Sequence, residues 1–372
     1  KLAEKMICFY LIWCFGYFLI LTWLSRHWPS RIKDPEIPQA STEQVSLIIA
    51  FRNESEMIPQ LVPELQKVKN SVLEIVLVDD QSEDDSFEKL MLATQEISNL
   101  EILKSPGIGK KAALDFGIQK SKGKLIVTSD ADCEFTEPWI SELVKPFQNS
   151  SVQLVAGPVI TRNSFSFFSK FQQLEWASIL LLTQFSFQKG SPLMCSGANL
   201  AFRKSAFDQV KGYAGNEHLL SGDDEFLLKK VRQYYGRGAC VFLPNKSALV
   251  ETIPLSTWQG LVLQRIRWAG KWKLHRSVSH AASAGFAFMA QLVWLASFLL
   301  VFVGGIPWWF FLAVWALKVL GESIAFTKVL KSFNLSFSWP ELLVTSLIHP
   351  FFVVGVALGT IRGKFTWKGR SN

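Results

Sequence analysis

GKLIVTSDADC (residues 123–133) opens on a glycine and runs apolar and β-branched as far as Thr128. It then stops at four small or acidic residues, Ser129, Asp130, Ala131 and Asp132. A short apolar run with a polar end predicts a buried strand over 124–128. The same design occurs twice upstream, in VSLIIAFRNE (45–54) and EIVLVDDQS (74–82). The first predicts a strand over 45–51 and the second a strand over 74–78. Helical patterning fills 56–69, 84–97 and 110–120, and a further short strand is expected over 101–104. Strand and helix in alternation predict an α/β domain with a mostly parallel sheet and helices on both faces. Such sheets bind ligands beyond the carboxyl ends of their strands, where this chain places its polar clusters.

Three acidic clusters follow from that layout. Asp79 and Asp80 end the second strand, where a carboxylate can accept from a base N–H or a ribose hydroxyl. Asp-x-Ser is also ordinary turn chemistry. Asp130 and Asp132 end the decisive strand. Residues i and i+2 of an extended segment point to one side, so these carboxylates can converge on a hard cation shared with a diphosphate. The third cluster is SGDDE (221–225), ahead of an apolar-periodic run. Ser221 reads as a helix N-cap, and acids in a first turn suit the helix dipole. Asp223 reads equally as a general base, kept ionised by that dipole.

Outside the alternating region the chain is more apolar. Hydrophobic residues are 49% of its 372, with 30 Phe and 14 Trp, and they gather towards both ends. Residues 6–24 carry no charge and are long enough to cross a bilayer core. Arg26 and His27 follow in place of a small-residue cleavage site, so a retained helix is expected over a cleaved signal. Residues 281–317 predict a helical hairpin, about 283–303 and 308–326, broken at Gly304, Gly305 and Pro307. A last span covers 342–360 despite His349 and Pro350. Arg26, Arg31 and Lys33 after the first span, and Arg265 to Arg276 before the second, place the middle domain in the cytoplasm by the positive-inside rule. Four spans would put the basic tail from Arg362 on the far side, so either one apolar segment is only interfacial or the tail departs from the rule, and four spans are favoured.

The net charge of +8 sits beside the apolar segments, which fits anionic lipid headgroups better than nucleic acid. The five cysteines lack metal-type spacing and read as free thiols. Inside the apolar segments Lys318, Glu322 and His349 are the few polar residues, and Lys318 and Glu322 are one turn apart. TWQGLVLQRIRWAGKWKLHR (257–276) predicts an amphipathic interfacial helix. Gln264, Arg267, Trp268 and Lys271 share one of its faces. That face can bind a pyrophosphate through Arg267 and stack a sugar on Trp268, or can simply lie on lipid with its basic residues snorkelling.

Together the motifs VSLIIAFRNE (45–54), IVLVDDQSEDDS (75–86), GKKAALDFG (109–117), SDADC (129–133), SGANLAF (196–202), SGDDEFL (221–227) and QRIRW (264–268) resemble the family-2 inverting glycosyltransferases. The resemblance covers roughly residues 45–273. It includes ceramide glucosyltransferase-like and polysaccharide synthase-like members. It implies a GT-A, Rossmann-like fold, a UDP-sugar donor and Mg2+ or Mn2+. By the same resemblance Asp79 and Asp80 hold the nucleoside and Lys110 sits near the diphosphate. Asp130 and Asp132 form the DxD motif, with Asp132 the direct metal ligand. Asp223 becomes the base, and Gln264, Arg267 and Trp268 match Gln-x-x-Arg-Trp. Ser196, Gly197, Asn199 and Asp224, with Trp268, line the acceptor side. Asp115 stands where the family often has Asn.

The expected organisation is a transmembrane helix (1–25), a cytoplasmic catalytic domain (26–256) and the interface helix (257–280). Transmembrane helices (281–361) and a basic tail (362–372) follow. The expected protein is integral to a membrane, the inner membrane in a bacterium. Transfer of one sugar to a membrane lipid is the expected activity. A processive synthase is the alternative, disfavoured by so few helices and so few polar residues to line a channel. An inactive nucleotide- or lipid-binding subunit is the third reading, which the intact acids oppose.

Overall fold

The computed structural model describes residues 2–29, 44–216, 222–270, 278–362, 366–367 and 370–371. Arg31, Lys33, Ser221, Lys271 and the basic tail beyond Arg362 lie outside the residues whose side chains are described. The chain divides into two compact units. One comprises Arg31–Arg162, Thr183–Ile253 and Thr366–Asn372, and the other Lys1–Ser30, Asn163–Leu182 and Pro254–Phe365.

The first unit contains the expected sheet. An opening helix of the other unit, α1 (Leu2–Arg26), precedes it in the chain. Then come β1 (Val45–Phe51), α2 (Ile58–Val68), β2 (Glu74–Asp79), α3 (Ser86–Ala93), β3 (Leu100–Lys104), α4 (Lys110–Lys120) and β4 (Leu125–Ser129). Next are β5 (Cys133–Phe135), α5 (Trp139–Val144), β6 (Leu154–Ala156) and β7 (Val159–Thr161). After α6 (Phe167–Gln188), whose residues are divided between the units, follow β8 (Leu200–Arg203), α7 (Lys204–Gln209), α8 (Asp223–Tyr235), β9 (Cys240–Phe242) and β10 (Val250–Thr252). The main sheet has the order β3-β2-β1-β4-β8-β6-β9. Neighbours pair in parallel except where β8 meets β4 and β6. Thus β8 alone runs against the others.

Why these runs make strands is visible in their burial. Every residue of β2 is buried, as is all of β1 except Ala50. A strand covered on both faces has no reason to alternate, and reads as a continuous apolar run. The polar exceptions are paired: Ser46 Oγ donates to Glu74 Oε1 at 2.6 Å and accepts from Gly123 N at 2.9 Å. The register sets Phe51 opposite Asp79 and Ile49 opposite Ser129. The ends of β1, β2 and β4 therefore finish at one level, with their polar continuations side by side. A second sheet, β5-β10-β7, carries Thr252 of β10 beside Cys133 of β5.

The second unit is helical. Besides α1 and the first part of α6 it holds α9 (Trp258–Ala269), α10 (Val278–Phe302), α11 (Trp308–Ser332) and α12 (Trp339–Arg362). Four segments, Glu4–Arg26, Gly285–Phe302, Trp308–Ser332 and Trp339–Ile361, are long and apolar enough to cross a membrane. At 1.5 Å per residue the 25 residues of α11 reach about 37 Å, against a hydrocarbon core of about 30 Å. Large apolar side chains such as Ile12, Phe302 and Trp308 are exposed along these helices, as lipid-facing surfaces require. Polar groups are turned inward. Lys318 is fully buried and donates to Glu322 Oε1 at 2.6 Å, Ser346 Oγ at 2.7 Å and Ser346 O at 3.0 Å. Tyr17 OH donates to the same Glu322 oxygen at 3.2 Å. These bonds tie α1, α11 and α12 together.

Candidate functional site

The carboxyl end of β4 and the start of α4 make the centre of the sheet unit's polar cluster. Lys110 is the first residue of α4, and its Nζ lies 2.5 Å from Asp130 Oδ1 and 3.9 Å from Asp223 Oδ2. Asp223 is the first residue of α8 and is 8% exposed. One ammonium therefore bridges two acids that lie 93 residues apart (223 − 130) in the chain. Burial on its own would lower the Lys110 ammonium. The Asp130, Asp223 and Asp224 carboxylates outweigh it and push that group above its usual range.

Asp132 stands beside this cluster. Its Oδ2 accepts from Thr252 Oγ1 at 3.2 Å. Burial first, and then the charge of Asp130, raises its carboxyl above the ordinary carboxylate value. Two adjacent acids that repel in a dry setting are what a hard divalent cation relieves. Among the described residues no group of three or more His, Cys, Asp and Glu could hold a metal ion. The fit is to a cation that takes two carboxylates from the protein and its remaining oxygens elsewhere.

Gly197 explains how α8 and α4 come so close. A Cβ there would stand 2.8 Å from Asp223 Oδ2, 3.7 Å from Asp224 Cβ and 3.8 Å from Lys110 Nζ. No side chain fits. Instead its backbone N donates to Asp224 Oδ2 at 3.2 Å, and its carbonyl accepts from Thr128 Oγ1 at 2.8 Å. Ser196 precedes it as the cap of a short 3-10 turn, its Oγ accepting from Ala198 N. Asn199 differs from the acceptor-side expectation. It is fully buried, donates to Pro158 O at 2.8 Å and Ala248 O at 2.7 Å, and accepts from Trp139 Nε1 at 2.9 Å. With its amide committed on both sides, it supports the floor from within. The capping expectation also changes: α8 has Gly222 as its N-cap residue, at φ 90°, with no side-chain cap bond.

At the neighbouring strand end, Asp79 Oδ1 accepts from Ser82 N at 3.0 Å, which is turn chemistry. Asp80 Oδ1 accepts from Gly109 N at 2.6 Å, so the acid after β2 fastens the loop that delivers Lys110. Arg52 adds a guanidinium that donates to Asp80 O at 2.9 Å, to Gln81 O and to Glu83 Oε1. Arg52 and Thr252 were not singled out in the sequence. Arg52 directly follows β1, and that position at a strand end is a usable signal; Thr252 gave none.

In the helical unit, α9 begins at a Thr257 cap whose hydroxyl accepts from Gly260 N at 3.1 Å. Gln264, Arg267 and Trp268 are half-buried on it. Between them lies Arg265, which is 6% exposed. Its Nε and a terminal nitrogen donate to the two oxygens of Glu175, at 2.8 and 2.9 Å. The sequence offers Arg265 only as one of the basic residues flanking a span.

Residues 46–211 match the family model described as Glycosyl transferase family 2. Beta-monoglucosyldiacylglycerol synthase from Nostoc sp. is 26% identical over 250 residues, 66% of this chain and 51% of the relative. Poly-beta-1,6-N-acetyl-D-glucosamine synthase from Staphylococcus aureus is 25% identical over 239 residues, 64% of this chain and 56% of the relative. The chain thus spans about half the length of the curated relatives it matches. Among solved structures, a mannosyltransferase from Pyrobaculum calidifontis, in complex with GDP-Man and Mn2+, superposes with a TM-score of 0.57 at 16% identity. That match covers 96% of this chain and 99% of the other. The chain has the fold of a glycosyltransferase and is similar in sequence to enzymes that act on lipids and on a polysaccharide.

Proposed function

We propose that this protein is an inverting, membrane-bound glycosyltransferase that moves one sugar from a UDP-sugar to a membrane lipid on the cytoplasmic face. The observation that carries the reading is the convergence of Asp130 and Asp223 on Lys110, with Asp132 alongside, at the ends of a parallel sheet. Asp130 and Asp132 would hold Mg2+ or Mn2+, completed by the donor's diphosphate oxygens. When bound, that cation supplies charge to offset a departing nucleoside diphosphate. Asp223 accepts the proton of the acceptor hydroxyl as it attacks the anomeric carbon. Lys110 contributes a second positive charge beside the diphosphate, and Asp79 and Asp80 hold the nucleoside. Gln264, Arg267 and Trp268 keep the donor-binding part that their motif implies, and Ser196, Gly197 and Asp224 border the acceptor. The lipid acceptor is supported by four apolar helices and by the similarity to a glucosyldiacylglycerol synthase.

The similarity to a poly-N-acetylglucosamine synthase supports a second reading, processive synthesis. One experiment separates them. The detergent-purified protein is incubated with labelled UDP-glucose, UDP-N-acetylglucosamine, UDP-galactose or GDP-mannose and a lipid extract. A lipid heavier by one hexose or N-acetylhexosamine is the expected product. A ladder of long glycans would favour the synthase, and no transfer from any donor would refute both.

A further inference from the structure

One buried ion pair of the helical unit lies beside the motif residues rather than between them. Arg265 and Glu175 form a two-pronged bridge, with side chains only 7% and 8% exposed. A buried pair of this kind roughly breaks even against apolar residues in net stability, because desolvation offsets attraction. What it does supply is direction. Arg265 spends Nε and one terminal nitrogen on Glu175 and turns the other terminal nitrogen to Gln264 Oε1. The face of the same guanidinium lies 4.2 Å from the ring centre of Trp268 and 5.6 Å from that of Trp176. Trp176 in turn meets Trp268 edge-on, with centroids 5.5 Å apart. One side chain thus sets both Gln264, its neighbour, and Trp268, one turn on.

The helix that carries them is fixed from its other side. Ile266 packs with Phe171 of α6 and with Phe352 and Val356 of α12. A Cβ on Gly359 of α12 would stand 2.2 Å from Ile266 Cδ1, so α9 and α12 are in close contact there and a larger residue would displace Ile266. Consecutive residues of α9 are therefore held by two different helices. Arg265 is tied to Glu175 of α6, and Ile266 is seated against α12. Lysine cannot replace Arg265, since it lacks the planar fork and the stacking face.

We infer that Arg265, braced by Glu175, is a positioning residue of the transfer reaction that sets the side chains of Gln264 and Trp268 for the donor. The inference rests on the donor-binding part proposed above for those two residues. Wild-type turnover is measured first, on UDP-glucose, UDP-N-acetylglucosamine, UDP-galactose and GDP-mannose. Its absence sinks the transferase reading by itself. Arg265→Lys is expected to raise the donor KM or lower kcat by about tenfold or more, as misplacement of positioning groups does. It should also change the near-ultraviolet circular dichroism, and that change should vanish when Trp268→Phe is the background. An Arg265→Lys protein with wild-type kinetics or a wild-type spectrum overturns the inference. The exchange Glu175→Arg with Arg265→Glu separates positioning from bridging. It should recover melting temperature relative to Glu175→Arg alone without recovering donor kinetics. Recovery of both would leave the pair a structural bridge and overturn the inference as well.

Discussion

Two ion-paired lysines, the half-buried Lys110 and the fully buried Lys318, meet opposite company. Lys110 lies among Asp130, Asp223 and Asp224, with Asp132 next to Asp130. Lys318 faces one carboxylate, Glu322, and fills its other hydrogen bonds with the hydroxyl and carbonyl of Ser346. The second cluster closes on itself: one cation, one anion and neutral acceptors. In the first, one ammonium serves four neighbouring carboxylates. A closed cluster needs nothing from outside and reads as helix-to-helix fastening. An open one, with four carboxylates near one lysine among the described residues, has work for a cation. An ion-paired lysine is common to both, so the sum over the cluster is what separates a site from a staple.

The largest effects should come from the open cluster. Chelation with EDTA is expected to abolish transfer, and added manganese or magnesium to restore it. Full activity in EDTA would remove the metal from the proposal and leave Lys110 as the cluster's cation. Next in size is Asp223→Asn, which keeps shape but cannot take a proton. A lost general base costs ~10²–10⁴ in rate, about 3–5 kcal/mol of barrier. If Asp223 serves only the helix dipole, the change costs at most ~1 kcal/mol of stability and leaves turnover intact. Asp224→Asn is the control. Its oxygens accept from Gly197 N and Glu225 N, and an amide oxygen can still accept. A large single-turnover loss at Asp224 with normal rates at Asp223 would exchange their parts.

The closed cluster predicts a different response. Glu322→Gln leaves Lys318 without its counter-charge, a loss of about 3–5 kcal/mol for a buried pair. Melting in detergent should show it, and Lys318→Met added to Glu322→Gln should recover most of it. If the single change is silent, the pair is not a fastening and the contrast with Lys110 fails.

How much of this could be read in the sequence follows from the physics of each element. The bounds of β1 to β4 lie within a residue of expectation; β1, β2 and β4 are largely buried on both faces and read as uninterrupted apolar runs, while β3 is only partly buried. The three-residue strands β5, β6, β7, β9 and β10 carry too little pattern to be read, and the reversed β8 is a consequence of pairing alone. Asn199 belongs to the acceptor side only by the resemblance of SGANLAF (196–202) to a family motif, which says nothing of its burial. Its partners at Trp139, Pro158 and Ala248 are 41 to 60 residues away and leave no local trace. Ser221 suited a cap by residue type, but Gly222 takes the left-handed turn ahead of α8. Arg265 escaped notice because helical periodicity picked out Gln264, Arg267 and Trp268, while its partner Glu175 is 90 residues upstream.

The smallest effect tests whether charge balance also explains Asp115 in α4, where the resemblance drawn from the sequence leads one to expect Asn. Burial first, and then the charge of Asp208, raises its carboxyl above the ordinary range. A carboxyl whose folded pKa lies above its unfolded value stabilises the fold only while protonated. That contribution is complete below the unfolded pKa and is lost as pH rises through the folded one. At neutral pH Asp115 is therefore a charge the fold would be better without, and among the described residues no salt bridge uses it. Asp115→Asn should raise the melting temperature slightly at pH 7. The gain should shrink as pH falls, and disappear near pH 4, where an ordinary aspartate begins to protonate. Equal melting temperatures at both pH values would show that Asp115 is solvated well enough to carry its charge at no cost. A fall at pH 7 would show that the carboxylate is used, and would move it from the bystanders of α4 to the charged cluster at that helix's start.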